Sequence, residues 1–431
     1  MLNLIKVDVL SVIIWRCMIF IFFILVFPLA AFAESQFERY DHFMIPAIER
    51  ESQLEESLVR PCRYKERRSH RRLKWLPLAG LQSAWQKELQ MKVARQEPPS
   101  WMLEQIREDL LPFSSLEPSY HKIVDDMMQK AQAIGFSGLF VCCRIFNNQV
   151  FFTGDCGQTS QHPRFFFMFN SLSDLCKTVA VPNVCFIFTL DDVGSDYDFI
   201  VPLFSYAKTR SVKEGVLIPD FEALHTGFVS SLLNQVQQGI IKYPWEKKKS
   251  KAYWRGSTTG GECSLGKFLQ MPRAHAVTLS LENPLLVDAR FNVLVQCCSN
   301  PEELLGKFSD YFGNSQSIEG QLEYKYQLLI DGNSCAYSRA YWQLFSNAAI
   351  LKQSSPHIQW YYRALQPYVH YIPLNEHLTD LIEKIEWAQE HEEEVEMMVN
   401  RTQQFAKANL SQADVFYYLY LTLLEYSKLQ K

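Results

Sequence analysis

Hydrophobic residues along this 431-residue chain fall into two patterns: short continuous runs, and longer stretches with helical spacing. In residues 138–153, two apolar runs flank Asn147-Asn148, which predicts a β-hairpin. Residues 184–188 form one continuous apolar run, typical of a buried strand. Pro98-Pro99 precedes apolar residues at helical spacing, so we expect a helix to begin there.

A second series of strands and helices begins near Lys242. Its strands are predicted at 251–255, 285–289, 324–330, 348–352 and 370–374. Helices are predicted at 118–134, 171–179 and 221–240 in the first series, at 265–281 and 339–347 in the second, and throughout 376–430. This alternation predicts an α/β fold with doubly wound sheets. The two series predict two domains, an acceptor-side domain at 101–241 and a donor-binding domain at 242–375, followed by helices at 376–431.

The N-terminal residues 1–33 have the pattern of a secretory signal peptide. An apolar run, 17–27, is followed by Ala31 and Ala33 in an A-x-A cleavage pattern. A retained signal anchor is the alternative. Residues 34–100 are polar and helix-prone, and their basic run at 60–74 is either a solvated helix face or a surface for phosphorylated lipid, which would give peripheral membrane contact.

Composition limits the class of protein. With 48% hydrophobic residues and a net charge of -4, the chain can bury a large core and gives no reason to expect a nucleic-acid partner. Its 11 cysteines permit disulfides if the chain is exported, but the sequence does not give their pairing. No C-x-x-C spacing occurs, so a structural zinc site is not expected.

Polar residues follow three of the predicted strands. Asp191 and Asp192 follow the first, residues 255–261 follow the second, and Asp331-Gly332 follows the third. Ligands of parallel sheets bind at the carboxyl ends of strands, where arginines with a glycine and hydroxyl loop suit a diphosphate. A facing carboxylate suits a general base. We therefore predict a cleft for transfer from a nucleotide-linked donor to a hydroxyl; the alternative is that these residues are ordinary solvated or paired groups.

Other motifs are weaker or missing. Asp196-Tyr197-Asp198 is a D-x-D pair of the kind that holds a divalent metal on a sugar nucleotide, although three residues match easily by chance. The glycines of 255–261 match neither the P-loop nor the dinucleotide fingerprint. No G-x-S-x-G or H-E-x-x-H motif occurs. His225 and His370 are interpreted as packing or cleft residues.

Five ordered sequence blocks in the second half carry a family resemblance. They are 244–248, 253–257, 283–284 with 287–289, 324–326 with 331–332 and 338–339, and 360–362 with 365–373. These blocks resemble glycosyltransferase family 90, the CAP10-like family of protein O-glucosyltransferases, capsule xylosyltransferases and lipopolysaccharide-modifying proteins. The resemblance implies a GT-B architecture, with two Rossmann-like doubly wound domains facing across a cleft and a helical C-terminal segment.

The resemblance also implies an activity. It is inverting, metal-independent transfer of glucose or xylose from a UDP-sugar, a co-substrate rather than a cofactor, to a hydroxyl of a glycan, lipopolysaccharide or protein. A catalytically inactive relative that binds a sugar nucleotide or glycan is the alternative. The cysteine positions and the C-terminal residues favour a bacterial periplasm or envelope protein, with the ER lumen as the alternative compartment.

The resemblance assigns roles to individual residues. Asp192 corresponds to the family's general base, with Asp191 as the alternative carboxylate. Arg273 and Arg339 are expected to bind the diphosphate. The full set of expected UDP-sugar-binding residues is Arg255, Gly256, Ser257, Arg273, Ser334, Cys335, Ala336, Tyr337, Ser338 and Arg339. No metal ligand is expected.

Overall fold

The structure of this protein is a computed structural model that describes residues 83–114, 140–153, 163–192, 202–212, 215–297 and 300–430. All of them belong to one unit of the chain, Leu76–Lys431. Several sequence predictions lie outside the described residues: the signal peptide, the basic run at 60–74, the helix at 118–134 and the D-x-D pair at 196–198.

Helices and strands alternate through both halves of the described chain. The helices are α1 (Ala84–Arg95), α2 (Ser100–Leu110), α3 (Pro163–Thr178), α4 (Phe221–Leu224), α5 (Thr226–Lys242), α6 (Pro272–Glu282), α7 (Pro301–Lys307), α8 (Ile318–Gln321), α9 (Tyr337–Phe345), α10 (Leu381–Glu390), α11 (Glu392–Asn409) and α12 (Gln412–Ser427). The strands are β1 (Phe140–Phe146), β2 (Gln149–Thr153), β3 (Val184–Thr189), β4 (Leu203–Ser205), β5 (Lys208–Thr209), β6 (Gly215–Leu217), β7 (Lys249–Ser257), β8 (Val287–Val293), β9 (Tyr324–Leu329), β10 (Ala349–Gln353), β11 (His357–Ile358) and β12 (Ile372–Leu374). The predicted α/β class is confirmed.

The first sheet has five strands in the order β2-β1-β3-β4-β6. Asn147 and Asn148 form the β1–β2 turn with φ of 49° and 61°, the left-handed geometry that suits a two-residue hairpin, so that prediction is confirmed. β1 is antiparallel to both its neighbours, whereas β3, β4 and β6 are parallel. The sheet is therefore mixed, and it departs from the regular doubly wound sheet expected here.

The second sheet is wholly parallel, in the order β12-β10-β9-β7-β8. The chain starts this sheet at β7, adds β8 on one side, and then crosses to add β9, β10 and β12 on the other. The direction of strand addition thus reverses between β7 and β9. In open parallel sheets, the carboxyl ends of the strands at such a reversal form the ligand-binding crevice.

Four predicted helices differ from the observed ones. The helix expected at 171–179 begins earlier, at Pro163, and the stretch expected to be helical throughout 376–430 forms three helices, α10 to α12. The helix expected at 221–240 is interrupted at His225, whose ψ of 96° is not helical. The His225 ring accepts a hydrogen bond from the N–H of Phe228 and so caps α5. The helix expected at 265–281 begins only at Pro272, since residues Phe268–Gln270 form a 3₁₀ turn and proline favours the first turn of a helix.

The C-terminal helix α12 packs on α1 and reaches β3 and β4 of the first sheet. Trp85 stacks on Phe416 with ring centroids 4.4 Å apart, and Phe204 meets Tyr426 at 5.0 Å. Its mainly buried side chains explain the long hydrophobic run near the C-terminus. Among the described residues, no helix combines the length and the hydropathy needed to cross a membrane.

A buried ion pair connects α2 to the first sheet. The ammonium of Lys208 lies 2.5 Å from Oδ1 of Asp109 and donates to the carbonyl of Gly215 at 2.9 Å. The other carboxylate oxygen accepts from the N–H of Leu217 at 2.9 Å. Burial raises the pKa of Asp109, and the nearby ammonium opposes that rise. Removing one partner of such a pair costs about 3–5 kcal/mol, so this contact fixes α2 against β6.

Candidate active site

Arg273, at the start of α6, bridges the ends of β7 and β9, where the strand order of the parallel sheet reverses. Its Nε donates to the carbonyl of Asp331 at 2.9 Å, and its Nη2 to that of Ile330 at 3.2 Å. Its Nη1 donates to the carbonyl of Ser257 at 3.0 Å and to Oγ1 of Thr259 at 2.6 Å. The predicted binding residues Arg273 and Ser257 are thus brought together, and the guanidinium is held rigidly in the crevice.

Two glycines allow this close approach. A Cβ on Gly332 would lie 2.7 Å from Oγ1 of Thr259 and 2.9 Å from Nη2 of Arg273. Gly260 has φ of +89° and sits against the Asp331 carbonyl, where a Cβ would come within 3.1 Å. The glycines of the two strand-end loops therefore permit contacts that any larger residue would block.

Arg273 and Arg339 place two guanidinium groups beside one indole. Their Cζ atoms lie 5.5 Å and 6.0 Å from the centroid of the Trp254 ring. Burial lowers the pKa of Arg273 to about 9, helped by the positive charge of Arg339, and lowers that of Arg339 to about 10. Neither forms an ion pair with a carboxylate of the described residues. The carboxylate of Asp331 attracts Arg273 but forms no ion pair with it. Two neighbouring cations without an ion-pair partner form an environment that favours an anion.

Arg339 still has donor capacity. Its Nη2 donates to the carbonyl of Arg255, whereas its Nη1 is buried and has no hydrogen-bond partner among the described residues. A buried donor without a partner is unfavourable unless a ligand or water satisfies it. The predicted role of Arg339 in holding a diphosphate is therefore compatible with its geometry.

The side chain of Arg255 points away from these two arginines. Its Nη2 lies 2.7 Å from Oδ1 of Asp288 on β8, and Oδ2 of Asp288 accepts from the hydroxyl of Tyr324 at 3.0 Å. Arg255 therefore reaches the crevice through its backbone carbonyl, which holds Arg339, rather than through its guanidinium.

Gly256 and Ser257 shape the end of β7. A Cβ on Gly256 would lie 2.4 Å from Cζ2 of Trp254, so glycine is needed for the indole to fold over this position. The pairing of β7 with β8 shifts register between Gly256 and Ser257, which turns the chain at this point. Ser257 Oγ lies 3.3 Å from Nη1 of Arg273, within the cluster of donors.

Hydrogen bonds between residues close in sequence hold the loop after β9 in place. Oδ1 of Asp331 accepts from the N–H of Ala336 at 3.2 Å, and the Ser334 hydroxyl donates to the Tyr337 oxygen at 2.9 Å. Cys335 is a buried thiol whose pKa is raised well above its ordinary value by burial. Its side chain therefore faces the interior, and this position can meet a ligand only through its backbone.

The N–H of Ser338, in the first turn of α9, is occupied within the protein. It donates to Oε2 of Glu222, from the α4 helix, at 3.0 Å. Glu222 was not singled out from the sequence, because its partner lies more than a hundred residues away and no motif connects them.

Asp192 adjoins the same loop. The hydroxyl of Tyr337 donates to its carbonyl at 2.5 Å. Oδ1 of Asp192 forms an ion pair with Arg164 of α3, while Oδ2 makes no hydrogen bond with the described residues and the side chain is partly exposed. The Asp191 carboxylate instead accepts from the backbone N–H of Asp192 at 2.7 Å. The predicted base thus lies close to the start of α9, the helix that carries Arg339.

Arg164 is a second residue that sequence reasoning missed. Besides pairing with Asp192, it donates to the carbonyl of Leu190 at 2.7 Å and its Cζ lies 4.6 Å from the Phe221 ring centroid. It stands at the start of an aromatic run and 28 positions before Asp192. Only the packing of α3 against the end of β3 reveals the pair.

A mixed α/β fold whose parallel sheet carries arginines and hydroxyls at its strand ends fits an α/β glycosyltransferase. Residues 95–431 match the model for glycosyl transferase family 90, so the chain belongs to that family. The resemblance stated from the sequence blocks is confirmed.

Individual relatives are protein O-glucosyltransferases. The chain is 30% identical over 343 residues to protein O-glucosyltransferase 2 of Danio rerio, which covers 76% of this chain and 62% of the relative. It is 29% identical over 276 residues to protein O-glucosyltransferase 3 of Homo sapiens, covering 60% and 50%. It is 26% identical over 240 residues to protein O-glucosyltransferase 1 of Homo sapiens, covering 53% and 57%. The chain thus spans between about half and three-fifths of the relatives' own lengths.

Proposed function

We propose that this protein is an inverting, metal-independent glycosyltransferase that moves a sugar, glucose or xylose, from a UDP-sugar to a hydroxyl of a protein acceptor. The observation that carries the proposal is the pair Arg273 and Arg339, two cations beside Trp254 without an ion-pair partner among the described residues. Arg273 is buried, and so is the Nη1 of Arg339. They lie where the strand order of a parallel sheet reverses. A diphosphate supplies negative charge that both guanidinium groups can bind.

In the proposed reaction, the two arginines act on the leaving group. As the bond between the anomeric carbon and the diphosphate oxygen breaks, negative charge grows on UDP. Arg339 offers its buried Nη1 to that charge, while Arg273 contributes a positive charge that its contacts to Asp331 and Ser257 hold in place. Fixed donors in a buried site stabilise such charge without reorganisation at the moment of reaction.

Asp192 is the proposed general base. Its Oδ1 is held by Arg164, which orients the carboxylate and leaves Oδ2 for the acceptor. The acceptor hydroxyl gives its proton to Asp192 while its oxygen forms the new bond to the anomeric carbon, from the face opposite UDP, so the configuration inverts. Asp191 is the weaker candidate because its carboxylate accepts from the backbone of Asp192.

The relatives' names favour a protein acceptor and glucose as the sugar. Lipopolysaccharide, and the bacterial envelope location predicted with it, gain no support from relatives of Danio rerio and Homo sapiens. We therefore propose that the acceptor is an exported protein, which is consistent with the ER-lumen alternative and with the predicted signal peptide.

The direct test is UDP release by the purified protein. UDP-glucose, UDP-xylose, UDP-galactose and UDP-N-acetylglucosamine are each supplied with a folded epidermal-growth-factor-like repeat or with lipopolysaccharide, with and without EDTA. We expect EDTA-insensitive turnover of UDP-glucose or UDP-xylose with the protein acceptor. Loss of activity in EDTA would contradict the metal-independent mechanism. Tight UDP binding without turnover of any pair would favour the inactive-relative alternative.

The residue test is Asp192→Asn, which keeps the size of the side chain but removes its basicity. We expect transfer to fall by about 10²–10⁴-fold while calorimetric UDP affinity stays unchanged, because Asp192 does not face the diphosphate in this mechanism. Asp174→Asn is the matched control, since the carboxylate of Asp174 pairs with the exposed Lys177 among the described residues. Full turnover by Asp192→Asn would refute the assignment and direct attention to Asp191.

A further inference from the structure

Asp331 has one carboxylate oxygen that the protein does not satisfy. The residue follows β9 and is only 9% exposed. Its N–H donates to Oε1 of Gln353 at 3.0 Å, its carbonyl accepts from Nε of Arg273 at 2.9 Å, and its Oδ1 accepts from the N–H of Ala336 at 3.2 Å. Oδ2 is buried and has no hydrogen-bond partner among the described residues. Every other polar atom of Asp331 is fixed, so Oδ2 is held in one position.

A second buried cation near Asp331, Lys352, does not satisfy this oxygen. Lys352 is almost fully buried, which lowers its pKa, and its ammonium is attracted to Asp331. The ammonium nevertheless lies over the Tyr362 and Tyr371 rings, 4.5 Å and 5.8 Å from their centroids, and donates to the Gln353 carbonyl at 3.4 Å. Lys352 therefore supplies favourable charge near the carboxylate but not a hydrogen bond to Oδ2. Buried acceptors in folded proteins are nearly always paired, and this one differs from the unpaired amide oxygens of the chain in lying beside the two strand-end loops that hold Arg273, where a ligand can reach it.

The position of Asp331 narrows the chemistry of that partner. The residue lies between Arg273 and the loop that leads to Arg339, so a diphosphate held by the two arginines would lie close to it. An ionised carboxylate is an acceptor only, and the phosphate oxygens of a nucleotide have no proton to give. The hydroxyls of the ribose and of the transferred sugar have a proton that they can donate to Oδ2. A site built to accept from a hydroxyl also discriminates strongly against an analogue that lacks it.

Building on the proposed function, we infer that Oδ2 of Asp331 accepts a hydrogen bond from a hydroxyl of the UDP-sugar donor, either on its ribose or on its sugar. Asp331 is then a donor-binding residue in addition to those assigned from the family resemblance. It sets which nucleotides or sugars are accepted, because a donor without that hydroxyl would leave a buried carboxylate unpaired.

The experiment is a calorimetric cycle with the full-length protein and Asp331→Asn. Asparagine can keep the hydrogen bond to Ala336 while presenting an NH₂ donor in place of Oδ2. The ligands are UDP, 2′-deoxy-UDP, 3′-deoxy-UDP, UDP-glucose and UDP-glucose analogues that lack single hydroxyls. We expect the unaltered protein to lose about ten-fold or more in affinity for one deoxy analogue, the amount typical of a hydrogen bond to a charged group. In Asp331→Asn, the affinity for the parent ligand should fall by a similar factor, and the missing hydroxyl should then cost less than about two-fold.

The ligand that responds identifies the source of the hydroxyl. If Asp331→Asn lowers the affinity for UDP, and the unaltered protein binds one deoxyribose analogue more weakly than UDP, the hydroxyl belongs to the ribose. If Asp331→Asn lowers the affinity for UDP-glucose alone, the hydroxyl belongs to the sugar. Unchanged affinities for both UDP and UDP-glucose in Asp331→Asn would overturn the inference, as would an equal loss for parent and analogues. If Asp331→Asn does not fold, the analogue series on the unaltered protein still decides: equal affinity for every analogue overturns the inference.

The matched control is Asp310→Asn, the same change at an exposed position of the same half of the chain. It should leave all affinities unchanged. The outcome also separates this inference from the function on which it rests. If the unaltered protein binds neither UDP nor UDP-glucose, the proposed function fails; if it binds and transfers but Asp331→Asn behaves like Asp310→Asn, only the role of Asp331 fails.

Discussion

Arg339 lies against the Trp254 ring. Its Nη2 donates to the Arg255 carbonyl, and its Nη1 has no hydrogen-bond partner among the described residues. For Arg339→Met we expect UDP affinity in calorimetry to fall by about 10–100-fold, because charge-assisted contacts to the diphosphate are lost. Stability without ligand should change by less than about 1 kcal/mol, since removing a buried charge beside Arg273 relieves repulsion and offsets the lost hydrogen bond.

The control for Arg339→Met is Arg363→Met, which removes an exposed arginine that pairs with Glu104 and Glu108. It should keep UDP affinity. Unchanged UDP binding by Arg339→Met would remove this residue from the site. The two arginines also show what a sequence can supply: the family resemblance implied a diphosphate role for both, but their position beside one ring depends on side-chain packing.

Asp220 carries a pH-dependent contribution to stability. Burial, with the nearby Glu222 charge, raises its pKa to about 7, from an ordinary value of 3.8. Between these values the native state holds a proton that the unfolded state has released. The contribution of Asp220 is therefore fully present below pH 4 and is lost as the pH rises to about 7, at up to about 1.4 kcal/mol per pH unit.

Asp220→Asn tests this dependence. Asparagine keeps the α4 cap, where Oδ1 accepts from the N–H groups of Glu222 and Ala223. The free energy of unfolding in urea should match the unaltered protein below pH 4 and exceed it at pH 8. Asp174→Asn, at an exposed position, should leave the pH profile unchanged. A profile for Asp220→Asn that parallels the unaltered protein would contradict the raised pKa.

Strand β7 contributes to both the hydrophobic core and the candidate site, because its Trp254 is fully buried and lies beside both arginines. For Gly256→Ala, the new methyl would meet the indole at 2.4 Å and displace it. We expect a destabilisation of about 1–3 kcal/mol in urea unfolding and a loss of UDP affinity. Gly266→Ala is the control, because a Cβ there meets nothing within 4 Å. Equal behaviour of the two variants would show that the indole can move without cost.

Strands and helices were predicted correctly where the signal lies in neighbouring residues of the sequence. The asparagine pair predicted the β1–β2 hairpin, and a continuous apolar run predicted β3, since neither signal depends on distant residues. Helix boundaries were less accurate. The run at 221–240 looks uniformly helical, yet its interruption arises because the His225 ring caps α5. A residue's role as a cap depends on its backbone angles, which the hydrophobic pattern does not encode.

At the scale of the whole molecule, the candidate site combines residues from distant parts of the sequence. Asp192 and the Asp331-Gly332 pair that precedes Arg339 were each predicted as polar residues at the end of a strand. Their contact through Tyr337, and the pairing of Asp192 with Arg164, could not be predicted, because they depend on how the first sheet packs against α9 and α3. The two-domain GT-B arrangement, expected from the family, remains a prediction.

Substitution of Tyr337 tests the contact between α9 and Asp192. Its buried hydroxyl donates to the carbonyl of Asp192 at 2.5 Å and accepts from Ser334 at 2.9 Å. For Tyr337→Phe we expect kcat to fall by about ten-fold or more while UDP affinity is retained, because the base loses its fixed position but the arginines do not. Tyr361→Phe is the control, since its buried hydroxyl has no hydrogen-bond partner among the described residues and its loss should leave kcat unchanged. A parallel loss of UDP affinity and kcat in Tyr337→Phe would mean that the hydroxyl supports the donor loop rather than the position of Asp192.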